Sequence, residues 1–174
     1  MIEDILAQCH TTVDSLNYQA STVALAALRA IGESQGVGGP FAQLLGIRFD
    51  QFGHGRCTAH LDITTHLLNP HNIAHGGATY ALADTTGGGA ALSALGKPRM
   101  VTQDMQIRYH GPARPGRLLA SAEVVHHGRR TITTYCRITQ EEVLVASATA
   151  TFAILSDTEL DNLNPNRSWG GERP

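Results

Sequence analysis

The spacing of hydrophobic positions divides the chain into three stretches. In residues 2–34, Ile5, Leu6, Cys9, Val13 and Leu16, then Val23, Ala24, Ala27, Leu28 and Ile31, recur at helical spacing, which predicts one or two amphipathic helices. Gly36-Val37-Gly38-Gly39-Pro40 stops them, because glycine and proline both oppose helix continuation, and a new unit opens at Phe41 with a short helical turn to Leu45. A period of two then takes over. Ile47–Phe52 and Arg56–Ile63 read as a hairpin joined at Gly53-His54-Gly55. After residue 98, Val101, Met105, Ile107 and Tyr109 alternate with Thr102, Asp104, Gln106, Arg108 and His110, so the apolar set is expected to meet the core. Leu118, Ala120, Ala122 and Val124 continue the pattern, and Ile132, Thr134, Cys136 and Ile138 follow the turn at Gly128. Leu144–Leu155 presents Leu144, Ala146, Ala148, Ala150, Phe152 and Ile154 on one face, which completes an expected four-stranded meander. The polar, Asn/Pro/Gly-rich ending from Ser156 predicts a loose tail.

Between the two sets of strands, residues 76–96 hold a single formally charged side chain, Asp84. Their strongly hydrophobic members are only Leu82, Leu92 and Leu95, so this is expected to be a helix buried in protein rather than in a membrane. The resulting fold class is α+β, an antiparallel sheet wrapped around a long central helix. An N-terminal helical extension (1–39) precedes the main domain (40–155), and the tail (156–174) follows it. Gly87, Gly88 and Gly89 fall inside the helix and together give up about 3 kcal/mol of helix propensity. Close approach of the sheet or of a symmetry mate is the expected compensation.

Composition narrows the partners. The 174 residues are 42% hydrophobic but only 16% charged, which points to self-association, at least a homodimer and by expectation a tetramer. A net charge of −2 argues against a nucleic-acid binder, so an anionic ligand would have to meet a few placed arginines. Cys9, Cys57 and Cys136 form neither a disulfide framework nor a thiolate metal site and read as reduced cytoplasmic thiols. The acidic start Met1-Ile2-Glu3-Asp4 is unlike an export signal. His54, His60, His66, His71 and His75 cluster in sequence without HExxH or HxH spacing, so no metal is expected. No GxSxG occurs, which argues against a nucleophilic serine.

The chemistry concentrates around the central helix. Asp84 shares a helical face with Gly77, Tyr80, Gly87, Gly88 and Ala91, and desolvation there would raise its pKa and make it a candidate base. The same residue could equally be a buried carboxylate paired with an arginine such as Arg108. His75-Gly76-Gly77 opens the helix, where unpaired N–H groups and the macrodipole suit an oxyanion, or where glycine simply loosens the first turn. Asn69 could donate from its carboxamide or form an Asx turn before Pro70.

The segment LLNPHNIAHGGATYALADTTGGGAA resembles the hot-dog-fold acyl-CoA thioesterases, in particular the PaaI-like branch of phenylacetic acid degradation, with Asn69, His75, Gly76, Gly77 and Asp84 in register. The likeness runs from about Phe41 to Leu155 and includes VTQDMQIRYHGPARPG and HHGRRT. It implies that the Gly76 N–H polarises a thioester carbonyl, that Asn69 and His75 shape the site, and that Asp84 acts as general base or nucleophile. The resemblance also implies sites shared between two subunits and no metal or cofactor. The phosphates of coenzyme A would meet Arg114, Arg129 or Arg130, each of which is equally readable as solvated surface. Some relatives place a hydroxyl one helical turn beyond the carboxylate to hold water. Here that position is Gly88, so Thr85 or Thr86 would have to serve. A non-catalytic acyl-CoA-binding protein and an acyl-CoA hydratase or dehydratase of the same fold are the alternatives.

Overall fold

The computed structural model describes residues 38–96 and 99–163; the helices expected in residues 2–34, and most of the expected tail, lie outside the described residues. The elements are α1 (Gly39–Leu45), β1 (Arg48–Gly53), β2 (Arg56–Ile63), a 3-10 turn (Thr65–Leu67) and α2 (Gly76–Leu95). They are followed by β3 (Met100–Tyr109), β4 (Gly116–His127), β5 (Thr131–Gln140), β6 (Val143–Ile154) and α3 (Asp157–Asn162). The six strands form one antiparallel sheet in the order β1-β2-β4-β5-β6-β3, curved around α2 in a hot-dog fold.

The sheet approaches the helix closely because its inner face is built from small side chains. Cys57, Ala122, Cys136 and Ala148 lie in one register row across β2, β4, β5 and β6, and all four are buried. The glycine triplet fits against this surface. A Cβ on Gly89 would lie 2.6 Å from Cys57 Sγ, and one on Gly87 would lie 2.9 Å from Thr134 Oγ1, distances at which no side chain fits without displacement. Gly88 differs, since its Cβ would meet Phe152 at 3.6 Å and Met100 at 4.0 Å, both ordinary contacts. Burial pushes the thiols of Cys57 and Cys136 up to about 12, so both stay protonated.

Several expectations need correction. The last four strands are not a simple meander: β3 crosses to the far edge beside β6, and β4 pairs with β2. The alternation in β3 is broken by a bulge between Thr102 and Asp104, so Thr102 reaches α2 while Val101 is 41% exposed. α1 begins two residues before Phe41, with Pro40 in its first turn where a missing N–H costs nothing. The presumed tail starts with α3, nucleated by a capping box in which Ser156 and Glu159 satisfy each other's backbone N–H. Finally, the sheet does not enclose α2 completely. Tyr80, Asp84 and Gly88 lie on a partly open flank beside β3. No described helix is long and apolar enough to cross a membrane.

Candidate active site

The start of α2 is held from both sides. His75 donates its N–H to Leu67 O (2.7 Å), and Ala74 donates to Ala113 O (2.7 Å), which ties the approach loop to the 3-10 turn and to the loop after β3. His75 is the N-cap, and its Nδ1 accepts the Gly77 N–H at 3.0 Å. The Gly77 N–H is therefore engaged within the chain, whereas the Gly76 N–H has no acceptor among the described residues. Gly76 lines a cleft of about 450 Å3 with Asn69, Thr79, Tyr109, His110 and Val145.

Asn69 forms the Asx turn: its Oδ1 accepts from His71 N–H (2.8 Å) and, more weakly, from Ile73 N–H (3.4 Å), which leaves the amide NH2 as its free donor group. Tyr109, which the strand pattern assigns to the core, instead donates its hydroxyl to Gly76 O at 2.8 Å and walls the cleft. A Cβ on Gly76 would sit 3.2 Å from that hydroxyl, so glycine suits the position. Burial, with a smaller contribution from Tyr80, raises the Tyr109 phenol above its ordinary range. Its place as the last residue of β3, at the loop that meets the helix start, is the signal that could have singled it out.

Asp84 is half-buried. Burial raises its carboxyl above the usual carboxylate range, and the Thr102 hydroxyl, which donates to Oδ1 at 2.9 Å, partly offsets the shift. Arg108 is not its partner. Neither threonine following it stands in for the hydroxyl absent at Gly88: Thr86 Oγ1 donates to Leu82 O at 2.6 Å, and the Thr85 methyl packs toward α1 near Gly38.

Asp84 lies eight positions along the helix from Gly76, roughly 12 Å at 1.5 Å per residue, so one chain does not bring the two together. The arginines divide in the same way. Arg114 adjoins Ala113 of the cleft, with its backbone clamped by Gln140 (2.8 and 2.9 Å). Arg129 and Arg130 follow β4 at its other end, and the Arg130 guanidinium lies 3.8 Å from Glu159 of α3. The Arg130 carbonyl accepts from Ile154, which pairs with Met100 near Thr102. Asp84, Arg129 and Arg130 thus occupy one half of the molecule, and Asn69, His75, Gly76, Gly77 and Arg114 the other. Among the described residues no group of His, Cys, Asp and Glu is placed to hold a metal ion.

A long helix cradled by a curved six-stranded antiparallel sheet defines a hot-dog domain, and its relatives place it in the thioester-hydrolase class. Residues 71–147 match the thioesterase superfamily, and the chain belongs to that superfamily. It is 30% identical over 109 residues to 1,4-dihydroxy-2-naphthoyl-CoA hydrolase of Escherichia coli, covering 62% of this chain and 76% of that relative. The E. coli PaaI protein of the phenylacetic acid degradation operon superposes with a TM-score of 0.70 at 27% identity, over 78% of this chain and 96% of that one. The conserved protein PA5202 of Pseudomonas aeruginosa superposes with a TM-score of 0.65 at 33% identity, over 67% and 94% of the two chains. The chain is accordingly a PaaI-like thioester hydrolase.

Proposed function

We propose that the protein hydrolyses an acyl-CoA thioester to the free acid and coenzyme A, without metal or prosthetic group, at sites shared between two copies of the chain. The observation that carries this reading is the free Gly76 N–H in a cleft at the positive end of α2, the place where a thioester carbonyl oxygen would gather charge. The Asn69 amide is a second donor at that cleft, and His75 keeps the first turn in shape.

Asp84 comes from the other copy. β3 is an edge strand, and antiparallel pairing of β3 with its equivalent, about a two-fold near its middle, would set the Thr102 end of one copy opposite the Tyr109 end of the other. The Asp84, Arg129 and Arg130 half would then face the partner's cleft, and the open flank of α2 would be covered. As water oxygen bonds to the carbonyl carbon, Asp84 takes its proton. Collapse breaks the C–S bond, and the departing thiolate recovers that proton as coenzyme A. Alternatively Asp84 attacks the carbonyl carbon directly, the C–S bond breaks and the thiolate leaves. Water then cleaves the resulting acyl anhydride to the free acid and the Asp84 carboxylate, its other proton going to the thiolate, and both routes need the ionised carboxylate. Arg129 and Arg130, in the Asp84 half, would meet the coenzyme's phosphates, with Arg114 beside the cleft as the further candidate. The free thiols of Cys57 and Cys136 fit a reducing, cytoplasmic setting.

The test is thiol release from a panel of aryl, hydroxyaryl and straight-chain acyl-CoAs by wild type and Asp84→Asn. We expect the variant to lose about 10²–10⁴-fold in kcat while still binding substrate. Its melting temperature at pH 7 should not fall. A carboxyl whose pKa is raised on folding costs stability once pH exceeds its unfolded value, and asparagine lacks that penalty. Near-normal turnover together with a lowered melting temperature would make Asp84 a structural group and overturn the reading.

A further inference from the structure

Resting on that reading, we propose that Thr102 is a positioning residue for the hydrolysis: its hydroxyl fixes one oxygen of Asp84 and leaves the other oxygen to meet water or the thioester carbonyl. Thr102 Oγ1 lies 2.9 Å from Asp84 Oδ1 and is the one side-chain hydrogen bond given to that carboxylate among the described residues. The bulge before Asp104 makes the contact possible. Regular alternation would aim Thr102 away from α2, with Met105 and Ile107 inward, whereas the extra residue lets Thr102, Met105 and Ile107 all face the helix side.

Among the described residues no other hydroxyl makes a hydrogen bond to this carboxylate. One turn beyond Asp84 is Gly88, Thr86 is spent on its own helix, Thr85 packs near Gly38, and Thr134 lies under Gly87. Nor does a charge. β5 and β6 present Thr134, Ala150 and Phe152 to this turn of α2. On β3, Asp104 lies on the opposite strand face from Met105, and Tyr80, one turn earlier on α2, donates its hydroxyl to Met105 O at 3.4 Å. The apolar surround pushes the carboxyl toward its neutral form, and the Thr102 hydrogen bond opposes that push.

The experiment compares wild type, Thr102→Val, Thr102→Ser and Asp84→Asn. It follows kcat/KM against pH and, independently of turnover, the titration of the Asp84 carboxyl carbon by NMR. Valine is nearly isosteric and should preserve the fold, which its melting temperature checks. In Thr102→Val the acid limb of kcat/KM and the NMR midpoint should both move to higher pH. On the acid side of the limb the loss should be about tenfold, as expected for one hydrogen bond to a charged acceptor, with KM little changed. Thr102→Ser should restore both. If both midpoints stay in place in the valine variant while Asp84→Asn is inactive, Thr102 has no positioning role although the hydrolytic reading stands. If Asp84→Asn is active, the reading fails and the role of Thr102 fails with it.

Discussion

A methyl group added at Gly89 would occupy space 2.6 Å from Cys57 Sγ and 2.9 Å from the Phe49 ring, whereas one added at Gly88 would meet Phe152 at 3.6 Å. The two neighbours should therefore answer the same substitution with opposite sign. Gly88→Ala removes a glycine from a helix at no steric cost and should stabilise the protein by up to about 1 kcal/mol. Gly89→Ala gains the same propensity but overpacks the core, which costs about 1–3 kcal/mol, so it should be neutral to destabilising and always less stable than Gly88→Ala. Urea midpoints at matched protein concentration check the pair. At this scale the sequence made much of the candidate site legible. Asp84 stands out as a single charge in an apolar helix, and His75-Gly76-Gly77 stands out as a glycine-rich start. Thr102 was not legible as a contact of Asp84, because the bulge that turns it toward α2 leaves no composition signal, and Tyr109 was legible only through its place at the end of β3.

Among the elements, the β5–β6 turn carries the clearest local strain. Glu141 and Glu142 adopt φ of 48° and 68°, the left-handed geometry that a two-residue hairpin demands and that Asn-Gly meets most readily. Two adjacent like charges hold a conformation that their side chains disfavour. Replacing the pair with Asn-Gly should stabilise the protein by about 1–2 kcal/mol, read as a higher melting temperature with kcat/KM unchanged, since the turn lies outside the cleft. The same absence of turn residues explains why the sequence marks the strands on either side of this hairpin but not the turn itself. At Gly53-His54-Gly55 the glycines announce the turn, and His54 and Gly55 do take positive φ there. Strand order was beyond periodicity altogether. Alternation says which face of β3 is apolar, but its pairing with β6 rather than β4 is set by how the chain returns from the far end of α2.

For the whole molecule, the decisive question is whether a site is completed across two chains, as the roughly 12 Å between Gly76 and Asp84 on one helix suggests. Asn69→Ala and Asp84→Ala should each be nearly inactive. A mixed dimer of the two would hold one doubly damaged site and one intact site. Co-expression should therefore recover roughly a quarter of wild-type activity, with half the dimers mixed and half their sites intact. Mixing without subunit exchange should recover little. Heterodimers proven by mass spectrometry but as inactive as their parents would place the site within one chain. The two borders of the sheet bear on how such an assembly ends. β1 is six residues long, interrupted between Phe49 and Gln51, and carries Arg48 and Asp50, whereas β3 is ten residues long. A β3-to-β1 contact would repeat head to tail and grow a filament, but the two borders match neither in length nor in the place of their bulges. Joining β3 to β3 would use up both long borders at once, so growth along the sheet would stop at two, and the mismatch would act as a safeguard against fibres.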